Sequence, residues 1–292
     1  MTEFCIDLIK RAGFTEKEQE YLIGFSKTVE NNSMYNNLLE TFKNDVEKGE
    51  EVYEKLPEAS ANAGVNFYTL ALLFFIEAAE AAYPKYLALG LSEDYFYNNM
   101  IDLKRKNDEC YSVNKVIGTH SVMGWFRRFY IPDRFRLGRL VFETTFFKLE
   151  SYEKYGVSLK KNDVVINVHI PSGEPLNIEE AKESFKLAYD FFKKYHRNGK
   201  LVFACHSWLL YEKHREFLNP ESNIRKFMEL FDIIDTTVQD EFSNMWRVFS
   251  VETIDDFNKL PEDTSLQRAY KKWLLDGNKA GFSYGIRVQK GE

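Results

Sequence analysis

The sequence predicts an α+β protein in which a helical N-terminal domain, residues 1–122, precedes a mixed α/β sheet domain, residues 123–292. Three observations predict it. Helix start signals and apolar residues at helical spacing fill the first 120 or so positions. From Leu140 the apolar period becomes two. Beyond that point strand patterns alternate with helical ones, as in an α/β or α+β domain. A chain of 292 residues can bury a large core, and its length allows one domain or two; the change of period favours two.

Thr15 followed by Glu18 reads as a capping box, hydroxyl and carboxylate satisfying reciprocal orphan amides before a helix through Tyr21, Leu22 and Phe25. Ser33 is expected to cap a second helix carrying Leu38, Leu39, Phe42 and Val46. Pro57 and the small, polar run ASANAG at 59–64 are expected to end that region. An apolar helix then runs from about Val65 to Ala82, stopping at Pro84. Interrupted by Asn66 and Thr69, it is too short for a membrane span of about 20 residues and reads as a core helix. Ser92 starts a further helix through Tyr95, Phe96 and Ile101, and the charged run Asp102 to Glu109 reads as its solvated face.

Trp125 to Arg139 reads as an amphipathic strand or connector with exposed arginines. Leu140, Phe142, Thr144 and Phe146 alternate with Val141, Glu143 and Thr145, a strand signature, and Tyr152 to Val157 reads as a turn or short hairpin. Two β-rich runs follow, VVINVHIPSG from Val164 and LVFACHSWLL from Leu201, flanking a helix from Ile178 to about Tyr195. Each carries a histidine near its end. If the helix is a right-handed crossover the strands are parallel, and His169 and His206 reach the same end of one sheet, where ligands of such sheets sit. The remaining expectations are a helix over Asn223 to Phe231, a strand over Met245 to Val251, a helix over Ser265 to Asp276 and a final strand over Gly281 to Val288.

Composition narrows the function classes. The net charge is −6 with no long basic stripe, which disfavours nucleic-acid binding, since such surfaces cluster Lys and Arg against phosphates. Cys5, Cys110 and Cys205 are widely spaced and odd in number, fitting a reducing compartment without a disulfide framework. The N-terminus lacks a charged segment followed by an apolar one, so a cytoplasmic protein without a membrane partner is expected.

INVHIPSG at 166–173, CHSWLL at 205–210, SNI at 222–224, WRVF at 246–249 and GFSYGIRV at 281–288 carry a resemblance to the GNAT-like N-acyltransferase family. Within it, the chain is similar to a bacterial group that joins a helical N-terminal domain to a GNAT-like C-terminal domain. The resemblance implies acetyl-CoA or another acyl-CoA as donor and a small-molecule or peptide amine as acceptor. It also implies that backbone amides after the central strand hold the pyrophosphate at a helix N-terminus. The matching residues are Ile170, Ser172, Gly173, Glu174 and Leu176. This loop departs from the family's Arg or Gln, x, x, Gly, x, Gly or Ala pattern: Pro175 removes an amide donor, and Glu174, Glu179 and Glu180 bring negative charge.

His169, His206 and Glu143 are the base candidates. An imidazole titrates near neutral pH, which suits proton removal from an ammonium acceptor, and partial burial raises a carboxyl. Two histidines without a third ligand make a poor zinc site. Tyr284 in the last strand takes, by the same resemblance, the role of donor to a departing thiolate; as a residue among many aromatics it reads as core. Two alternatives stand beside the transferase. One is a non-catalytic binding or regulatory protein with a degenerate cofactor loop; the other is a hydrolase or thiol transferase using Cys205 and a histidine.

Overall fold

In the computed structural model, which describes residues 1–291, the chain forms two compact units. The first is Met1–Arg136 with Pro171–Gly173; the second is Leu137–Ile170 with the chain from Glu174 onward. The first unit holds α1 (Glu3–Arg11), α2 (Glu16–Val29), α3 (Ser33–Asn44), α4 (Gly49–Ala63), α5 (Phe67–Ala88), α6 (Glu93–Asn114) and α7 (Met123–Tyr130). The capping box at α2 is present, Glu18 accepting from the Thr15 amide at 2.8 Å while Thr15 Oγ1 accepts from the Glu18 amide at 3.4 Å. Asn32, not Ser33, caps α3, accepting from the Tyr35 amide at 2.9 Å; Ser92 precedes α6 without a side-chain cap bond.

Neither proline stops its helix. A proline inside a helix costs about 3 kcal/mol, yet α4 continues past Pro57 because Val52, Leu56, Ala59 and Ser60 keep one buried face on both sides of it. The ASANA run is helix, and Gly64 in the left-handed region ends it. In α5 burial continues past Pro84 to Tyr86, whose hydroxyl donates to the Phe129 carbonyl at 2.8 Å. This helix is buried nearly all round, and Phe42, Phe74, Phe75, Phe126 and Tyr130 pack as one ring cluster against it. Among the described residues no single helix is long and apolar enough to cross a membrane.

Two surface expectations are corrected. The run Asp102 to Glu109 is not a solvated face: Asp102, Arg105, Lys106, Asn107 and Glu109 are buried. Asp102 accepts from the Trp125 indole, and Lys106 pairs with Glu109 at 2.9 Å while lying 4.7 Å from the Trp125 ring centre. Paired charge can be buried where unpaired charge cannot, a distinction composition does not carry. Trp125 to Arg139 is likewise not a single strand with exposed arginines. It is α7 followed by β1 (Arg134–Leu137), with Arg134, Arg136 and Arg139 buried.

The second unit contains β2 (Leu140–Phe146), β3 (Ser151–Lys154), β4 (Val157–Lys160), β5 (Val164–His169), α8 (Ile178–Phe191), β6 (Lys200–Ser207), α9 (His214–Phe217), α10 (Asn223–Met228), β7 (Asp232–Val238), α11 (Met245–Phe249), α12 (Ser265–Leu275) and β8 (Gly281–Lys290). The main sheet has the order β1-β2-β5-β6-β8-β7, and β3 and β4 form a separate hairpin. As expected, β5 and β6 are parallel through the α8 crossover. The expected strand at Met245 is instead α11: Met245, Val248 and Phe249, at i, i+3 and i+4, are buried together with Tyr270 and Leu274 of α12.

Alternation assigns the two faces. Phe142 and Phe203 meet Phe185 of α8 at 5.8 and 5.0 Å between ring centres. On the opposite face Val165, Val202, Ala204, Tyr284 and Ile286 pack with Tyr152, Val157 and Leu159 of the hairpin. Glu143, Asn167, Ala204 and Ile286 form one continuous row across β2, β5, β6 and β8 on that face.

Candidate active site

The parallel ladder between β5 and β6 covers only Ile166 opposite Phe203 and Asn167 opposite Ala204. Both strands continue past it, to His169 and to Ser207. Among the described residues no rung pairs the two strands beyond Asn167 and Ala204, so their histidine-bearing ends are not in register contact with each other.

Three side chains meet beside these ends. Glu143 of β2 lies opposite Asn167 of β5, which puts it diagonal to His169 two residues on. His169 Nε2 lies 2.9 Å from Glu143 Oε1, and Asn167 Nδ2 donates to the same oxygen at 3.1 Å. Asn167 Nδ2 is also 3.1 Å from His169 Nε2. One ring nitrogen cannot donate to Glu143 and accept from Asn167 together, so an ionised Glu143 selects the ε-protonated imidazole and leaves its lone pair on Nδ1. Glu143 is 4% exposed, not the surface carboxylate its place in a Thr-rich strand suggests. Its burial is compensated by these donors.

His206 is placed differently. It is exposed, its ring stacks on Phe282 at 5.4 Å, and partial desolvation together with the nearby Lys148 charge lowers its pKa, Asp235 opposing them. The structure therefore brings both histidines to the same sheet end but joins only His169 to Glu143. Cys205 is fully buried on the α8 face, and burial holds its thiol well above the usual range. A protonated, enclosed thiol is a poor nucleophile, which withdraws the hydrolase reading. Ser207 accepts from the Leu209 amide and ends the strand. Tyr284 belongs to the core packed under the hairpin, its hydroxyl pushed up to about 12 by burial.

The loop after β5 is held by two arginines. Ser172 bonds Glu109 through its hydroxyl, and its carbonyl accepts from Arg105 at 2.8 Å, both partners lying on α6. In the second unit Arg139 donates to the carbonyls of Glu174 at 2.8 Å and Pro175 at 3.2 Å. Asn177 caps α8, its Oδ1 accepting from Glu179 and Glu180. Ile170 and Leu176 are half-buried, and Gly173 is exposed with φ +91°, a conformation glycine tolerates best. Beside the start of α8 lies an open depression of about 770 Å³, bordered by Pro175, Asn177, Lys182, Asn223 and Lys226. Lys182 and Lys226 were not apparent as site residues in the sequence, where they look like ordinary surface positions. Asn167 was legible in principle, since it shares His169's face at the two-residue period.

Comparison with known proteins agrees with this fold. Four solved chains match in structure. They include an acyltransferase in complex with CoA and 10C-teicoplanin, at TM-score 0.78 and 18% identity over 98% of this chain and 88% of that one. An acyltransferase mutant bound to octanoyl-CoA gives 0.77, also at 18% identity with the same coverage of both chains. An acyltransferase with decanoyl-CoA gives 0.76 at 20% identity, over 96% of this chain and 86% of that one. No curated protein matches the sequence. The N-acyltransferase N-terminal domain profile matches residues 3–131, and the GNAT-like C-terminal domain profile matches residues 134–287. The chain accordingly belongs to the family that couples an N-acyltransferase N-terminal domain to a GNAT-like C-terminal domain.

Proposed function

We propose that the protein transfers an acyl group from acyl-CoA to an amine acceptor. The observation that carries this reading is the two-rung ladder between β5 and β6. Strands that part beyond Asn167 and Ala204 leave unpaired backbone amides and carbonyls facing a slot, and a pantetheine arm, itself a chain of amides, fits such a slot by completing the sheet's hydrogen bonds. The structurally similar acyltransferases bound to octanoyl-CoA and decanoyl-CoA support the same donor here. Lys182, Lys226 and the start of α8 offer positive charge to its phosphates.

In the proposed reaction the acceptor nitrogen attacks the thioester carbon. A C–N bond forms, the C–S bond breaks, and CoA leaves as a thiolate that takes up one proton. His169 receives the proton lost from the amine nitrogen, and Glu143 holds the ring in one tautomer and stabilises the imidazolium that results. Catalysis then rests on positioning and one base.

Calorimetric titration with acetyl-CoA and octanoyl-CoA tests the reading, followed by thiol release in the presence of an amine. Saturable binding of either donor is expected, with preference for the longer chain if the slot extends past the thioester. A second reading, a binding protein on the same fold, is favoured by one observation: Asn177 already occupies two of the α8 amides that would meet a pyrophosphate. No heat with either donor would favour it.

A further inference from the structure

Asn167 stands within β5, where a β-branched residue would serve the strand better. Half of its amide is accounted for. Nδ2 donates to Glu143 Oε1 at 3.1 Å and lies 3.1 Å from His169 Nε2, so amide and imidazole converge on one carboxylate oxygen. An ionised carboxylate only accepts, which fixes the amide with its nitrogen toward Glu143 and Oδ1 turned away from it.

The other half is unspent. Among the described residues Asn167 Oδ1 accepts no hydrogen bond, and the side chain is half-buried, with that oxygen not enclosed. Two other asparagines use both ends of the amide. Asn99 donates to the Arg134 carbonyl and accepts from the Arg136 amide, and Asn107 donates to Glu18 and accepts from the Gly118 amide. A threonine could supply a donor to Glu143 and suit the strand better; what the planar amide adds is an acceptor held at a fixed angle to that donor. His169 is arranged in the same sense, with Nε2 toward Glu143 and the Nδ1 lone pair on the other edge of the ring. Two neighbouring acceptors on one face of β5 are thus turned away from the carboxylate that anchors them.

We infer that Asn167 orients the acceptor nitrogen and selects a primary amine, an assignment that rests on the transferase reading. Attack forms the C–N bond and leaves a nitrogen bearing two hydrogens and a positive charge. One hydrogen passes to His169 Nδ1 as a proton. The other stays on nitrogen as the amide N–H and donates to Asn167 Oδ1. The C–S bond then breaks, the thiolate takes up a proton, and His169 returns its own to solvent. The bond to Oδ1 strengthens as the nitrogen becomes positive, so it favours the transition state over the bound amine. A secondary amine keeps one hydrogen after attack and satisfies His169 or Asn167, not both.

The test compares benzylamine with N-methylbenzylamine, amines of nearly equal basicity, by thiol release from octanoyl-CoA with the full chain. The parent should favour benzylamine in kcat/KM by at least about tenfold. Asn167→Val, a residue the strand accepts, removes both polar ends and should lower that ratio about tenfold, equivalent to about 1.4 kcal/mol. Asn167→Asp loses the donor to Glu143 but keeps an outward oxygen; it should be slower with both amines and hold the parent's ratio. The extra methyl group is common to all three proteins, so its bulk cancels when their ratios are compared. A parent ratio near one, an unchanged ratio in Asn167→Val, or a collapsed one in Asn167→Asp would overturn the assignment and leave acyl transfer standing. Thiol release that neither amine raises would remove the transferase reading and the assignment with it.

Discussion

Glu143 and His169 stand on neighbouring antiparallel strands, two residues off register and so on one face, with Oε1 and Nε2 2.9 Å apart. The diagonal places a buried carboxylate behind an imidazole beyond the last rung between β5 and β6, an arrangement that fixes a tautomer as well as a position. If His169 is the base, His169→Ala should lower kcat by about 10²- to 10⁴-fold while leaving the Kd for octanoyl-CoA within about threefold. Glu143→Gln keeps the shape but removes the charge, and should move the acidic limb of the kcat profile to lower pH, because the imidazolium loses its stabilising neighbour. Steady-state kinetics across pH 5 to 9 on both variants checks this. An unshifted limb in Glu143→Gln would leave Glu143 as a structural carboxylate.

Cys205 separates the transferase from a thiol-based mechanism. Enclosed at 0% exposure with its thiol pushed far up by burial, it should not react with a thiol reagent in the native protein. Cys205→Ala should retain CoA release within about twofold of the parent and lose stability of about 1 kcal/mol, the scale of a small core truncation. Thiol titration before and after unfolding, together with the activity of Cys205→Ala, checks both parts.

The depression beside α8 gives a prediction about phosphates. Lys182 and Lys226 pair with Glu179 and Glu221 at 2.8 and 2.9 Å, and both are partly exposed. Exposed pairs of this kind contribute little and yield to a stronger anion. Lys182→Ala and Lys226→Ala should each weaken octanoyl-CoA by about threefold to tenfold, with the effect shrinking as salt is raised from 50 to 300 mM. Calorimetric Kd values at the two salt concentrations check it, and a salt-independent loss would point to distortion of α8 instead.

The parts of the fold legible in the sequence are those fixed by local chemistry. Thr15 and Glu18 form a capping box in any context that permits the helix, and the alternation through Val164 to His169 fixes which residues share a face. Pro57, Pro84 and the charged stretch of α6 misled because tertiary burial decides them: a continuous apolar face outweighs a lost amide, and Lys106 is buried only because Glu109 and Trp125 come with it. Of the site, His169 and Glu143 were legible as candidates, but their pairing needed the β2–β5 register, a long-range property no local pattern contains.

His214 supplies a prediction about acid stability that is independent of catalysis. It is fully buried beside Tyr270, whose hydroxyl it meets through Nε2, and burial lowers its pKa to about 4, with Arg225 adding to the shift and the Leu209 backbone opposing it. The folded value lies below the unfolded value of about 6.5, so in the interval between them the unfolded chain binds more protons. Stability contributed by the neutral ring is therefore complete above about pH 6.5 and is lost as pH falls toward 4, by roughly 3 kcal/mol in total. His214→Phe removes the titration. It should be less stable than the parent at pH 7.5, where the bond to Tyr270 is lost, but should decline less steeply between pH 6.5 and 4.5. Urea midpoints for the two proteins at those pH values give the comparison, in which the carboxylates titrating in both chains cancel. Parallel slopes would mean that His214 takes up its proton in the folded protein as readily as in the unfolded chain.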